Sequence, residues 1–152
     1  MGISKQEQDH EGADAQSFEL RVDHCGLSVP DLEASIHWYS TMLDFVLEQR
    51  FALEVVPFKA AFLRRDSLRI ELFEVAGAAP LPEQRRYPNE DLRTHGTKHI
   101  AFAVDDVYAV FAELKRRGVD IAAEIFTLEG MGPGGFIRDN AGNLLEILER
   151  RA

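Results

Sequence analysis

Apolar residues run through the chain in two rhythms, and the order of those rhythms occurs twice. A short segment of period two, His24 to Val29, ends at Pro30 and Asp31. Leu32, Ile36, Tyr39 and Leu43 then recur at helical spacing. Apolar segments follow at 45–51, 58–64 and 68–74. The second half reads the same way. His99 to Val104 alternates, and Val107, Val110, Phe111 and Leu114 return at helical spacing, with Gly118 as the helix stop. Segments at 121–127, 136–138 and 143–149 complete it. Asp31 and Asp106 stand where each helix should begin, and each is a predicted N-cap. Each half is therefore predicted as strand, helix and three strands, an α+β fold of two βαβββ modules.

The halves also align residue by residue at an offset of 75. Asp23-His24-Cys25-Gly26-Leu27 lies over Lys98-His99-Ile100-Ala101-Phe102, and Leu68 to Glu74 lies over Asn143 to Glu149. In both halves a His precedes a Glu by 47 residues, His24 before Glu71 and His99 before Glu146. The predicted organisation is a tail over 1–16 and one domain over 17–149. Its first module spans about 18–76, a proline-bearing linker about 77–97, and the second module about 98–149. Asp139 to Asn143 is a predicted hairpin turn. The run Gly130-Met131-Gly132-Pro133-Gly134-Gly135 lacks the Lys-Ser/Thr ending of a phosphate loop and reads as a hairpin loop or a mobile lid tipped by Met131.

Alternation along a strand decides which side chains share a face. His24 shares its face with Gly26 and Ser28, and His99 with Ala101 and Ala103, so both histidines have small neighbours. Glu71 and Glu146 each interrupt an apolar strand, where a carboxylate without a partner is costly. Four such residues at matched positions point to one divalent cation near the pseudo-twofold axis, held by His24, Glu71, His99 and Glu146. Imidazole nitrogens and carboxylate oxygens suit Zn, Ni, Co, Mn or Fe(II). Arg69 and Phe73 lie on the Glu71 face and are candidate substrate contacts, as is Met131, and Leu144 and Leu148 flank Glu146 as an apolar wall. His10, His37 and His95 fall outside the repeat, and Cys25 is expected on the helix side of its strand as an inert thiol.

Charge and composition narrow the partners. The 152 residues carry a net charge of −9, which argues against nucleic acid or an anionic membrane surface as partner. No apolar run approaches the roughly 20 residues that span a bilayer. The opening segment lacks the apolar core of a secretory signal, so a cytoplasmic location is expected. One cysteine excludes an intrachain disulfide.

These residues resemble the vicinal oxygen chelate superfamily, which includes glyoxalase I, methylmalonyl-CoA epimerase, extradiol dioxygenases, and the fosfomycin and bleomycin resistance proteins. The resemblance rests on His24 with the Asp31 helix, Tyr39 to Phe45, Gly96 to Phe102 with Asp105-Asp106, and Phe136 to Glu146. It implies paired βαβββ modules in a cupped mixed sheet, a homodimer, and a small-molecule substrate bound to a metal through two oxygens. The family's four metal positions fall on His24, Glu71, His99 and Glu146. The Arg that usually follows the first ligand in glutathione-dependent glyoxalase I is absent from Cys25-Gly26-Leu27-Ser28, and the usual Gly of the helix end is Asp44. The expected activity is that of a metal-dependent isomerase or lyase independent of glutathione, with Glu71 or Glu146 moving the proton. The alternatives are an Fe(II) or Mn(II) extradiol-type dioxygenase using His24, His99 and Glu146, and a metal-free antibiotic- or metabolite-binding resistance protein.

Overall fold

The structure is a computed structural model that describes residues 18–150. The tail expected over 1–16 lies outside the described residues. In chain order the elements are β1 (Cys25–Ser28), α1 (Leu32–Leu43), β2 (Val46–Leu53), β3 (Phe58–Arg65) and β4 (Leu68–Val75). A 3-10 turn at Glu83–Arg86 and the short α2 (Pro88–Asp91) follow. The second half holds β5 (Ile100–Val104), α3 (Val107–Arg116), β6 (Asp120–Leu128), β7 (Gly132–Arg138) and β8 (Leu144–Glu149). The strands form two four-stranded mixed sheets, ordered β1-β4-β3-β2 and β5-β8-β7-β6. In each the first strand runs parallel to the last and the other pairs are antiparallel. The fold is thus α+β with the βαβββ module used twice. No helix among the described residues is long and apolar enough to cross a membrane.

Each helix starts where its carboxylate cap stands. Asp31 accepts from the Ala34 amide and Asp106 from the Ala109 amide, both at 2.9 Å. The repeat supplies a second carboxylate to each helix start. Glu74, at the end of β4, accepts from the Leu32 amide at 2.8 Å, and Glu149 accepts from the Val107 amide at 3.3 Å. Two free amides of each first turn are satisfied this way, in the positive end of the helix dipole. Helix α1 ends on Asp44 at φ 56°, a left-handed conformation that Asp tolerates.

One core joins the modules through their helix-bearing faces. It takes Leu32, Ile36 and Tyr39 from α1, Ile70 and Leu72 from β4, Phe111 and Leu114 from α3, and Leu145 and Ile147 from β8. Across the seam the Tyr39 hydroxyl donates to Asp139 Oδ2 at 2.9 Å. Asp139 is buried in the β7–β8 turn and also accepts from the Ala141 and Asn143 amides at 2.9 and 2.8 Å. That turn is the one expected at Asp139 to Asn143.

The glycine-rich run differs from expectation. Gly132 to Gly135 form the start of β7, and only the tip around Met131 is a turn. The glycines are there for close approach. A Cβ on Gly135 would lie 2.5 Å from Phe111 Cζ, and one on Gly134 would lie 3.2 Å from Leu148 Cβ. A segment seated against a helix and a neighbouring strand is a poor lid.

Candidate functional site

With Ile70 and Leu72 turned into the core, alternation turns Arg69, Glu71 and Phe73 to the outer face of the first sheet. Gly26 pairs with Glu71 in the β1–β4 register, and the Phe73 ring fills the space that a side chain would take there. His24 stands just ahead of β1, with Nε2 at 3.1 Å from Glu71 Oε2. Its Nδ1 lies 2.6 Å from Asp23 Oδ2. That hydrogen bond, with the Arg69 guanidinium beside it, holds the Asp23 carboxyl below its usual range. Arg69 also donates to Glu48 at 2.6 Å and lies 3.8 Å over the Phe62 ring. Phe62 meets His24 edge to face at 5.1 Å, and Phe51 stacks on Phe62 at 5.5 Å.

The second sheet repeats this unit. His99 Nε2 is 3.1 Å from Glu146 Oε2, Phe136 meets His99 edge to face at 5.1 Å, and Phe126 stacks on Phe136 at 6.1 Å. Here the residue before the histidine is Lys98. It is drawn away to the Asp91 carbonyl and carboxylate at 2.9 and 3.1 Å, and Arg85 shares the same carboxylate. Met131 lies exposed at the rim, where it lines a small hollow with Phe126, Gly134, Glu146 and Leu148. Leu144, expected as a wall beside Glu146, is buried. His37 and His95 are exposed, and Cys25 is half-buried.

The sequence places all four residues at one cation and leaves open whether the two modules pair within one chain or across a dimer. The structure brings them together in two pairs, and no group of three or more His, Cys, Asp or Glu among the described residues is arranged to hold a metal ion. The cause lies in the packing. Both helix-bearing faces are spent on the shared core, so each His–Glu face points away from it. A repeat establishes that two positions are equivalent, not that they are near each other. The partners missed in the sequence are Asp23 and the ring pairs Phe51–Phe62 and Phe126–Phe136. Phe62 pairs with Glu71 across nine residues, Phe136 with Glu146 across ten, because the second hairpin is longer. An ungapped repeat therefore hides their equivalence.

The sequence profile of the Glyoxalase/Bleomycin resistance protein/Dioxygenase superfamily matches residues 21–147. The chain belongs to this superfamily. Its fold is similar to that of a glyoxalase family protein from Enterococcus faecalis, at TM-score 0.72 and 22% identity over 85% of this chain and 97% of that one. A glyoxalase family protein from Bacillus cereus gives TM-score 0.70 and 21% identity over 92% and 100%. The trypanothione-dependent glyoxalase I of Leishmania major gives TM-score 0.65 and 22% identity over 86% and 87%. No curated protein matches the chain.

Proposed function

We propose that this superfamily member is a metal-dependent isomerase or lyase acting on a small oxygenated substrate, with each site assembled from the first sheet of one copy and the second sheet of another. The carrying observation is the pair of equivalent His–Glu units, each closed to 3.1 Å, on faces that turn away from the core of their own chain. The Glu71 and Glu146 side chains are only 12% and 16% exposed. Two carboxylates so covered, each facing one imidazole, call for positive charge. Joined face to face, the two pairs offer two imidazole nitrogens and two carboxylate oxygens, a donor set suited to Zn, Ni, Co, Mn or Fe(II). Such an ion supplies Lewis-acid polarisation of the substrate's vicinal oxygens.

The chain's own residues do the rest. Asp23 takes the Nδ1 proton of His24 as hydrogen-bond partner and leaves Nε2 as the ligating nitrogen. Glu71 and Glu146 are the carboxylates that can take a proton from a substrate carbon and return it. Arg69 is already held by Glu48 and Asp23, so it orients Phe62 and Asp23 more readily than it captures an anion.

Mixed dimers test the assembly. His24→Ala and His99→Ala should each remove metal binding when purified alone. Co-expressed, the two variants should regain about a quarter of wild-type metal sites, because random pairing makes half the dimers mixed and each mixed dimer holds one intact site. No recovery would place all four ligands in one chain, and full metal content in both single variants would remove the metal from the proposal.

A further inference from the structure

The first sheet carries more aromatic surface than its His–Glu unit uses. The chain has ten phenylalanines. Phe45, Phe102 and Phe111 serve the core, whereas Phe51, Phe58, Phe62, Phe73, Phe126 and Phe136 belong to the two ring clusters of the His–Glu faces. Four of these six sit together on the first sheet. Ala60 pairs with Phe51 on one side and with Phe73 on the other, and Phe58 and Phe62 flank it along β3. The rings close over Ala60, which is fully buried, and remain half-buried themselves. Contacts run on from His24 to Phe62, from Phe62 to Phe51 at 5.5 Å, from Phe51 to Phe58 at 6.1 Å, and from Phe58 to Phe73 at 5.7 Å.

Two further observations bear on what this floor receives. Gly26 gives up its side chain for it, since a Cβ there would meet the Phe73 ring at 3.0 Å. The charges beside it are cancelled in place, with Arg69 and Arg64 both on Glu48 and Asp23 on Arg69. At the equivalent positions the second sheet has Gly132 and Leu148 for Phe58 and Phe73, so the added rings are not needed to build a His–Glu pair. We propose that the substrate carries an aryl group next to its vicinal oxygens, received by Phe51, Phe58, Phe62 and Phe73 around Ala60. This deepens the proposed function and rests on it. Phenyl rings offer edge and face contacts that an aliphatic group cannot match, and a neutralised surround disfavours phosphorylated or polyanionic substrates.

Benzohydroxamate and acetohydroxamate test this, since they share one bidentate chelating group and differ in phenyl against methyl. Calorimetry on zinc-loaded protein should give benzohydroxamate at least about tenfold tighter binding. The preference should collapse in the Phe51→Ala, Phe58→Ala double variant, with acetohydroxamate affinity unchanged. Should that variant not fold, Phe73→Leu, which copies the second sheet's Leu148, should narrow the same ratio. Equal affinities, or a preference that survives these changes, would overturn the proposal. So would loss of the dimer with the ratio intact, which would assign the rings to subunit contact. A metal-free arm separates the two readings. Saturation transfer from the protein to the aryl protons should persist without zinc, and its absence refutes the aryl site. Failure to retain zinc counts against the metal-dependent function instead.

Discussion

On the first sheet His24 stands 3.1 Å from Glu71 with Phe62 edge-on at 5.1 Å; on the second, His99 stands 3.1 Å from Glu146 with Phe136 edge-on at 5.1 Å. The matched geometry ends at that unit. Asp23 braces His24, whereas Lys98 beside His99 turns away to Asp91. Arg69 occupies the place of buried Leu144, and Phe58 and Phe73 the places of Gly132 and Leu148. The repeat has kept the His–Glu pair and its aromatic brace and has let charge and lining diverge. Under the proposed function this is the expected division, since residues that would hold an ion must be of fixed type at fixed distance, while residues that would meet a substrate answer to that substrate's shape.

The largest expected effect tests whether the two carboxylates are equivalent in chemistry as they are in geometry. Glu71→Gln and Glu146→Gln should each lower turnover by roughly 10²-fold, the scale of losing a general base, with a smaller loss of metal. Turnover and metal content of the two variants, measured side by side, decide the matter. Oxygen uptake coupled to product and undiminished in Glu71→Gln, but abolished in Glu146→Gln, would replace the isomerase or lyase with an oxygenase that ignores the first sheet's carboxylate.

The seam between the halves comes next. Asp139 is 5% exposed and serves the Tyr39 hydroxyl, two backbone amides and the Asn143 side chain. Asp139→Ala strands these donors and should cost about 3 kcal/mol, whereas Tyr39→Phe removes one bond of four and should cost about 1 kcal/mol. Denaturant unfolding of both variants measures the difference. Equal small losses would mean that the Asp139 bonds contribute little to joining the halves.

How much of this was legible follows from what each signal encodes. Period-two and helical spacing depend on burial of one face, so the strands and both N-caps emerged from the sequence with boundaries shifted by a residue or two, except at the start of β7, which lies four residues earlier. The glycines of β7 misled because Gly132 to Gly135 read as a loop when the approach of Phe111 and Leu148 is not visible in one dimension. His24, Glu71, His99 and Glu146 were legible as pairs because the repeat keeps each His and Glu 47 residues apart. Their separation into two faces was not, since it depends on which sheet faces the shared core covers. Arg69 was legible as a face residue, but its ties to Glu48 and Asp23 join β4 to β2 and to the segment before β1, and no spacing rule predicts that.

The brace on His24 gives a smaller effect. Asp23→Asn weakens the acceptor at Nδ1 and should lower metal affinity by about tenfold, the lower end for loss of a carboxylate that hydrogen-bonds a ligating imidazole. Calorimetry gives the affinity, and nitrogen chemical shifts of the imidazoles report the tautomer. His24 should become mixed between its two neutral forms in the variant while His99 is unchanged. A change at both histidines would trace the effect to the fold and not to the brace.

The smallest effect concerns the two helix ends, where the halves differ again. Helix α1 has no basic residue in its last turn, and α3 has Lys115 and Arg116. The deficit is made good from the other half, because Arg117 donates to the Met42 carbonyl at 3.1 Å and to the Asp44 carboxylate at 2.8 Å. A cation there satisfies a free carbonyl and faces the negative end of the α1 dipole. Glu113 holds Arg117 in place at 2.7 Å and also takes Arg116, and these hydrogen bonds pull its carboxyl from 4.5 down to about 2. A carboxyl with a depressed folded pKa stabilises the protein above its unfolded value and loses that contribution as pH falls through the folded one. Glu113→Gln should therefore melt about 1–3 °C below wild type at neutral pH, the scale of an exposed ion-pair network. The gap should narrow as pH drops from 4.5 toward 2, because wild type then loses the charge that the variant lacks. Melting curves of both proteins across that range are the measurement. A gap that stays constant with pH would show that Glu113 acts through packing, and that the second half caps the first by Arg117 alone.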